Sequence, residues 1–273
     1  MSKTILITGS STGIGKATAL HFHNQGWNVI ATMRSPQNEN ELTDLDNVLI
    51  TKLDVLDLDS IDESIQKGID QFGQIDVLLN NAGYGAFGPL ESFPRENIVR
   101  QFNTNVIGLL DVTRAILPHY RSRQSGIVIN ISSIGGKMTF PLGSLYHGTK
   151  FAVEGISEAL SFEAEQIGVR IKIVEPGMIA TDFAGRSFDF QVNPELEEYQ
   201  ELITKLLSVW QNPDMAVQAS PPQLVAEVIY EAATDGSSQL RYLAGEDAHQ
   251  YIAARRSLED EPFLQNIKKQ FQL

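Results

Sequence analysis

The chain has 273 residues, of which 42% are hydrophobic and 20% charged, and its 21 basic against 34 acidic side chains leave a formal net charge of −13. That much apolar material excludes disordered, fibrous and low-complexity classes. The acidic balance repels phosphate polymers, so nucleic acid and anionic membrane are not expected partners. With no cysteine, disulfides, thiol nucleophiles and thiolate metal sites are excluded, and apart from His21-Phe22-His23 the five histidines form no HxH or HxxxH pair. No metal is therefore expected. No apolar run approaches the roughly 18 residues of a membrane span, and the N-terminus enters a strand pattern without a signal-like segment, which predicts a cytoplasmic protein.

In chain order, strands are predicted at Thr4 to Thr8, Trp27 to Ala31, Val48 to Leu53, Ile75 to Leu79, Ser125 to Ile131, Val169 to Val174 and Leu240 to Leu243. Helical periodicity predicts Gly13 to Asn24, Ser60 to Phe72, Asn97 to Arg121, Ser144 to Gln166 and Pro221 to Ala233. Strands that read as buried on both faces and alternate with helices predict an α/β fold. Its architecture is a doubly wound parallel sheet of Rossmann type, with residues 1–273 as one dinucleotide-binding domain. The segment Gly177 to Ala219 shows no strand signal, carries Phe183, Phe188, Phe190, Tyr199 and Trp210, and is too long for a plain connection. It is expected to be a helical substrate lid within that domain, followed by a C-terminal extension.

The first strand runs into Thr8-Gly9-Ser10-Ser11-Thr12-Gly13-Ile14-Gly15 and then directly into a helix. One glycine permits the sharp turn, one lets backbone approach a pyrophosphate, and one lets helix and strand pack closely. The helix N-terminus offers unpaired N–H groups and a partial positive charge to an anion. Gly9, Ser11, Thr12, Gly13, Ile14 and Gly15 are therefore candidate cofactor contacts. Read alone, the turn is also compatible with a ligand-free strand-to-helix connection.

The spacing of that turn, TGxxxGxG, occurs here together with Asn80-Asn81-Ala82-Gly83, Ser133, Tyr146-His147-Gly148-Thr149-Lys150 and Pro176-Gly177. In this combination and order the chain resembles a short-chain dehydrogenase/reductase, densely from Lys3 to about Thr181. The tail, with Leu243-Ala244-Gly245 and Arg255-Arg256, is similar to the subgroup related to 17β-hydroxysteroid and retinol dehydrogenases.

Tyr146 and Lys150 lie four apart, on one face of the helix begun near Ser144, and can act on one ligand. A free phenol titrates near 10, so work near neutrality requires lowering it by roughly 3 units, about 4 kcal/mol. A nearby buried ammonium and an oxidised nicotinamide ring would favour the phenolate. The resemblance implies that Lys150 also binds the nicotinamide ribose and that Ser133 orients the substrate carbonyl, with Ser132 as the alternative. It implies that Asn105 is the fourth catalytic residue, holding a water on the way to Lys150; Asn103 faces elsewhere. It assigns Asn81, Ala82 and Gly83 to the adenosine ribose, with Asn80 mostly structural. Asp54 and Val55 fall to the adenine, although Asp54 equally suits a turn. Pro176, Gly177, Ile179 and Thr181 fall to the nicotinamide side, although Thr181 could cap a helix.

The second strand ends at Met33-Arg34. An acidic residue at the position of Met33 would accept from a ribose 2′-OH; instead Arg34 can fork onto a 2′-phosphate. NADP(H) is the expected cofactor, NAD(H) the second choice. Tyr84, Phe87, Met138, Phe140, Leu142, Met178, Phe183, Phe188, Phe190 and Trp210 are candidate walls of an apolar pocket. The expected function is an NADP(H)-dependent oxidoreductase that interconverts a lipophilic ketone or aldehyde and its alcohol. The alternatives are an NADP(H)-binding redox sensor or scaffold without catalysis, and, last, a nucleotide-sugar epimerase or dehydratase. The long fourth and fifth helices predict a homodimer or homotetramer.

Overall fold

Thr4–Thr8, five consecutive buried residues, forms strand β1, and the chain then enters helix α1, Gly13–Asn24. This is a computed structural model that describes residues 2–182, 185, 187–210 and 219–273. The strands that follow are β2 Asn28–Met33, β3 Val48–Lys52, β4 Val77–Asn80, β5 Gly85–Phe87, β6 Gly126–Ile131, β7 Val169–Pro176, β8 Phe188–Phe190 and β9 Arg241–Ala244. The further α-helices are α2 Leu58–Phe72, α3 Arg95–Phe102, α4 Gly108–Arg123, α5 Ser144–Glu165, α6 Gln200–Trp210, α7 Pro222–Thr234, α8 Glu246–Ser257 and α9 Asp260–Gln270.

Seven strands make one sheet in the order β3-β2-β1-β4-β6-β7-β9, every pairing parallel. Because side chains alternate across a strand, Ile5, Ile7, Val29, Ala31, Val77 and Leu79 feed one core with α1 and α7. Leu6, Ile30, Leu78 and Val128 feed the opposite core with α2 and α4. Both faces are covered, which is why the strands read as continuous apolar runs. The chain order reverses between β1 and β4, so a crevice opens at their carboxyl ends, where doubly wound sheets take their ligands. Among the described residues no helix is long and apolar enough to cross a membrane.

Three features differ from the sequence expectation. The predicted helix Asn97 to Arg121 is α3 and α4 joined by a π-helical turn, Asn103–Ile107; such turns occur often at functional sites. The 177–219 segment does contain a strand: β8 pairs in parallel with β5 in a second, two-stranded sheet, Phe87 opposite Phe190. Three residues are too few to show an alternation. Helices α8 and α9 were not predicted, because Glu246–Ser257 buries only Ala248 and Ile252 and so lacks a sustained apolar stripe.

Candidate active site and cofactor cradle

The turn after β1 has the backbone its glycines permit. Gly9 and Gly13 have φ of +74° and +57°, a region where a Cβ is disfavoured. Gly15 answers a different need: a Cβ there would lie 2.3 Å from the Gly9 carbonyl oxygen. Asn81 spends its side-chain amide on this turn, donating to the Thr8 and Gly9 carbonyls at 2.9 and 3.0 Å. Asn80 donates to Thr113 Oγ1 and Asn130 Oδ1 inside the sheet. A Cβ on Gly9 would meet Ala82, one on Gly83 would meet Asn105, and one on Gly13 would meet Thr181. The turn, the Asn81–Gly83 loop and the start of the segment after β7 therefore converge. Helix α1 begins with no acidic residue in its first turn and no side-chain cap from Thr12, so the amides of Gly13, Ile14 and Gly15 face the crevice as an anion cradle.

A cavity of about 340 Å³ lies beside this cradle, lined by Ser11, Thr12, Lys16, Met33 and Ser35 among others. Lys16, which the sequence reading did not single out, is ion-paired there to Glu39 at 3.2 Å and Glu41 at 3.1 Å. Arg34 is exposed and, among the described residues, has neither a hydrogen bond nor an ion pair. The donor set fits a dinucleotide: helix amides for the pyrophosphate, and Arg34 as the uncommitted cation at the end of β2 for a 2′-phosphate. Asp54 accepts from the Leu56 amide at 3.0 Å, a turn-forming contact. Val55 is buried in the core, against Gly108 of α4.

Helix α5 carries Tyr146 and Lys150 on the opposite wall. Ser133 neighbours the Tyr146 hydroxyl and opposes the effect of burial on it, while Ser133 Oγ accepts from the Gly135 amide at 3.0 Å and lies 3.5 Å from the Pro176 carbonyl oxygen. Lys150 Nζ donates to the Ile131 carbonyl at 2.8 Å and sits 5.8 Å from the Tyr146 ring centroid. Burial pulls the Lys150 ammonium down to about 8, opposed by the Glu154 carboxylate one turn on.

Here the electrostatic expectation needs correction. In the protein alone burial raises the Tyr146 phenol above its usual 10, with the neighbouring Ser133 hydroxyl opposing. The low-dielectric surroundings disfavour the phenolate, and the ammonium points to a main-chain carbonyl. Asn105 is 4% exposed and does not face solvent. Its Oδ1 accepts from the Tyr84 amide at 3.1 Å, and its Nδ2 donates to the Tyr84 carbonyl and to Thr149 Oγ1. Its side chain is therefore committed to the Gly83–Tyr84 backbone.

Of the expected pocket walls, Phe87, Phe188, Phe190 and Trp210 form one aromatic box. Phe87 lies 5.2 Å from both Tyr146 and Phe188 and 5.5 Å from Trp210, while Phe190 stacks on Phe188 at 5.8 Å. Met138, Phe140 and Leu142 join Leu206 and α9 in a cluster that meets the box at Trp210. Tyr84 is turned toward Arg100, Met178 is 36% exposed, and Phe183 falls outside the described residues.

The segment after β7 is held from a distance. Asp247 of α8 accepts from the Met178 amide, and a Cβ on Gly177 would collide with its carboxylate. Ile179 bridges to Ser220. Beneath the site, Glu154 and Glu175, 4% and 1% exposed, converge on Arg241: Nε lies 2.9 Å from Glu154 Oε2 and 3.5 Å from Glu175 Oε1. Glu154 Oε1 and Glu175 Oε1 are buried without a hydrogen bond, and burial beside Glu154 pushes Glu175 up to about 7. No sequence motif signals this pair, since Arg241 is 87 residues from Glu154.

Residues 3–191 match the family model described as short chain dehydrogenase. An uncharacterized oxidoreductase of Schizosaccharomyces pombe is 49% identical over 246 residues, 88% of this chain and 100% of that protein. A 3-ketodihydrosphingosine reductase of Bacteroides thetaiotaomicron is 38% identical over 205 residues, 75% of this chain and 74% of the relative. Among solved structures, ElxO with NADP bound superposes with a TM-score of 0.75 at 29% identity, covering 92% of this chain and 100% of ElxO.

Proposed function

The chain belongs to the short-chain dehydrogenase family of oxidoreductases, and from that premise we propose that it interconverts a lipophilic ketone or aldehyde and its alcohol with NADP(H), using Tyr146 as general acid and base. One observation carries this reading: Tyr146 packs on Phe87 of the aromatic box, neighbours Ser133 and shares a helix face with Lys150, whose Nζ lies 5.8 Å from its ring centroid. A carbonyl oxygen placed against Ser133 and Tyr146 receives a hydrogen bond from the first and a proton from the second as negative charge develops on it. The nicotinamide, when bound, supplies the hydride. Phe87, Phe188 and Trp210 exclude water and bury the apolar part of the substrate, which supports a lipophilic carbonyl compound. The sphingoid-base reductase among the relatives is consistent with that class.

For cofactor choice, the exposed Arg34 and the NADP-bound relative support NADP(H) over NAD(H). Lys150 keeps its position through the Ile131 carbonyl, and Asn105 keeps Tyr84 and Thr149 in register around it. Large exposed apolar side chains on α3 to α5 and the π turn, Val99, Phe102, Ile107, Phe151 and Phe162, support pairing with a second copy of the chain.

NADPH oxidation against long-chain ketones, fatty aldehydes, steroids, retinoids and aryl ketones tests the reading. Native protein is expected to turn over at least one class with a higher kcat/KM for NADPH than for NADH. Tyr146→Phe is expected to lose at least about a thousandfold in kcat while binding NADPH nearly as before. A Tyr146→Phe variant that keeps most of the native rate refutes the assignment.

A further inference from the structure

The residue next to Tyr146 has no part in the reaction just described, yet it is more deeply buried than Tyr146. His147 is 2% exposed and lies in a slot made by two glycines: a Cβ on Gly135 would sit 2.8 Å from Nδ1, and one on Gly143 would sit 2.6 Å from Cδ2. Its ring packs against Phe87, Phe140 and Tyr146, with centroids 6.4, 5.8 and 5.6 Å away.

The hydrogen bonds settle its tautomer. Nδ1 lies 2.9 Å from the Gly135 carbonyl oxygen, which can only accept, so Nδ1 carries the proton. Nε2 lies 2.9 Å from the Phe140 amide, which can only donate, so Nε2 is bare. A neutral imidazole is the one state that satisfies both.

These two partners bracket the loop that directly follows Ser133. Gly135 is the residue whose amide holds Ser133 Oγ at 3.0 Å. Phe140 leads into Leu142, a non-glycine residue at φ +60°. That left-handed conformation is costly for a branched side chain, and it persists under an additional bond from the Gly88 amide to the Leu142 carbonyl at 2.8 Å. His147 thus ties the loop to α5 at the residue beside the acid/base tyrosine.

We propose that His147 is a positioning residue: as a neutral two-ended clamp between the Gly135 carbonyl and the Phe140 amide it holds the Ser133 hydroxyl in register with Tyr146. The inference rests on the carbonyl-reduction reading above. Protonation would turn Nε2 into a donor facing the Phe140 N–H and release that end of the clamp. Burial lowers the imidazole below its usual 6.5, opposed by the Gly135 carbonyl, so the clamp is intact at neutral pH. The groups packed on it are the rings of Phe87, Phe140 and Tyr146 and the Gly135 and Gly143 backbone, of which Tyr146 is the ionisable one.

The test compares His147→Leu, which removes both hydrogen bonds, with His147→Gln, whose side-chain amide retains one donor and one acceptor. With Ser133 displaced by a fraction of an ångström, His147→Leu should lose about 10- to 100-fold in kcat, with the KM for NADPH within about twofold. His147→Gln should recover most of that rate and lose the acid-side fall in kcat expected of native protein. A His147→Leu enzyme with native kcat, or a His147→Gln enzyme no better than His147→Leu, overturns the proposal.

Hydrogen exchange of the Phe140 amide and the ring ¹⁵N shifts of His147 read the clamp without turnover. The expected result is a slow Phe140 amide with Nε2 unprotonated in native protein and faster exchange at Phe140 in the His147→Leu variant, which has no acceptor for it. A rapidly exchanging Phe140 amide in native protein sinks the clamp even if carbonyl reduction is found. A protected amide in a protein that reduces no carbonyl compound sinks the functional reading and leaves the clamp standing.

Discussion

Glu175→Gln offers a quantitative test of the buried carboxyl pair. Glu175 titrates at about 7 against an ordinary 4.5, and the gap of about 2.5 on the pH scale corresponds to roughly 3 kcal/mol. The group is 1% exposed, so little of this is screened by solvent. Its folded value is raised, so the folded state holds a proton that the unfolded chain has released. Native stability therefore falls as pH climbs from about 4.5 to about 7 and is flat above. A glutamine has nearly the same shape, cannot ionise, and can donate its amide to the Glu154 oxygen that lacks a partner.

Urea unfolding at pH 5 and pH 8, at one fixed protein concentration so that self-association does not shift the balance, should show the variant gaining on the native protein. The advantage should grow by about 2 to 3 kcal/mol across that range, or roughly 5 to 10 °C in Tm for a chain of this size. An advantage that stays constant from pH 5 to pH 8 would mean that Glu175 ionises normally, and the account of a proton held on Glu175 by burial beside Glu154 would be wrong.

Two other sites give direct tests. Lys172, with a side chain 1% exposed, pairs with Asp235 at 2.8 Å and also meets Tyr242 and Ser237. Lys172→Met should cost about 3 kcal/mol in chemical denaturation by stranding the carboxylate, and a loss under about 0.5 kcal/mol would show that water solvates Asp235 adequately. Asp235 is held well below the usual carboxylate range by these partners, against the opposing effect of burial. The native contribution should accordingly be present above about pH 4 and fade as pH falls below it. For assembly, sedimentation velocity at micromolar concentration should give at least twice the chain mass, and Phe151→Asp should shift it toward one chain mass. A monomeric native protein contradicts the proposed pairing.

The elements that matter for the site were largely legible before folding was considered. Strand β1 and helix α1 were read at their observed bounds because a five-residue apolar run and a glycine turn are local signals. Their backbone demands, such as φ of +74° at Gly9, are written into single residues. Tyr146 and Lys150 could be placed on one face because helical geometry relates residues four apart wherever the helix lies. Helix α8 and strand β8 were not legible, since one buries too few residues to show a period and the other is three residues long, existing only because β5 lies alongside.

Local chemistry therefore determined which groups this protein carries and in what order along the chain. Only the folded chain decided what each of them touches. Asn81 turned inward onto the Thr8 and Gly9 carbonyls, Asp247 reached back 69 residues to the Met178 amide, and Glu154 met Arg241 across 87. Ionisation followed the same division: Tyr146 stood out as a candidate acid/base from the combination of motifs around it, but burial and the neighbouring Ser133 hydroxyl govern its affinity for a proton. Hydrogen bonds and dielectric environment depend on segments brought together from distant parts of the chain, and no local pattern encodes that convergence.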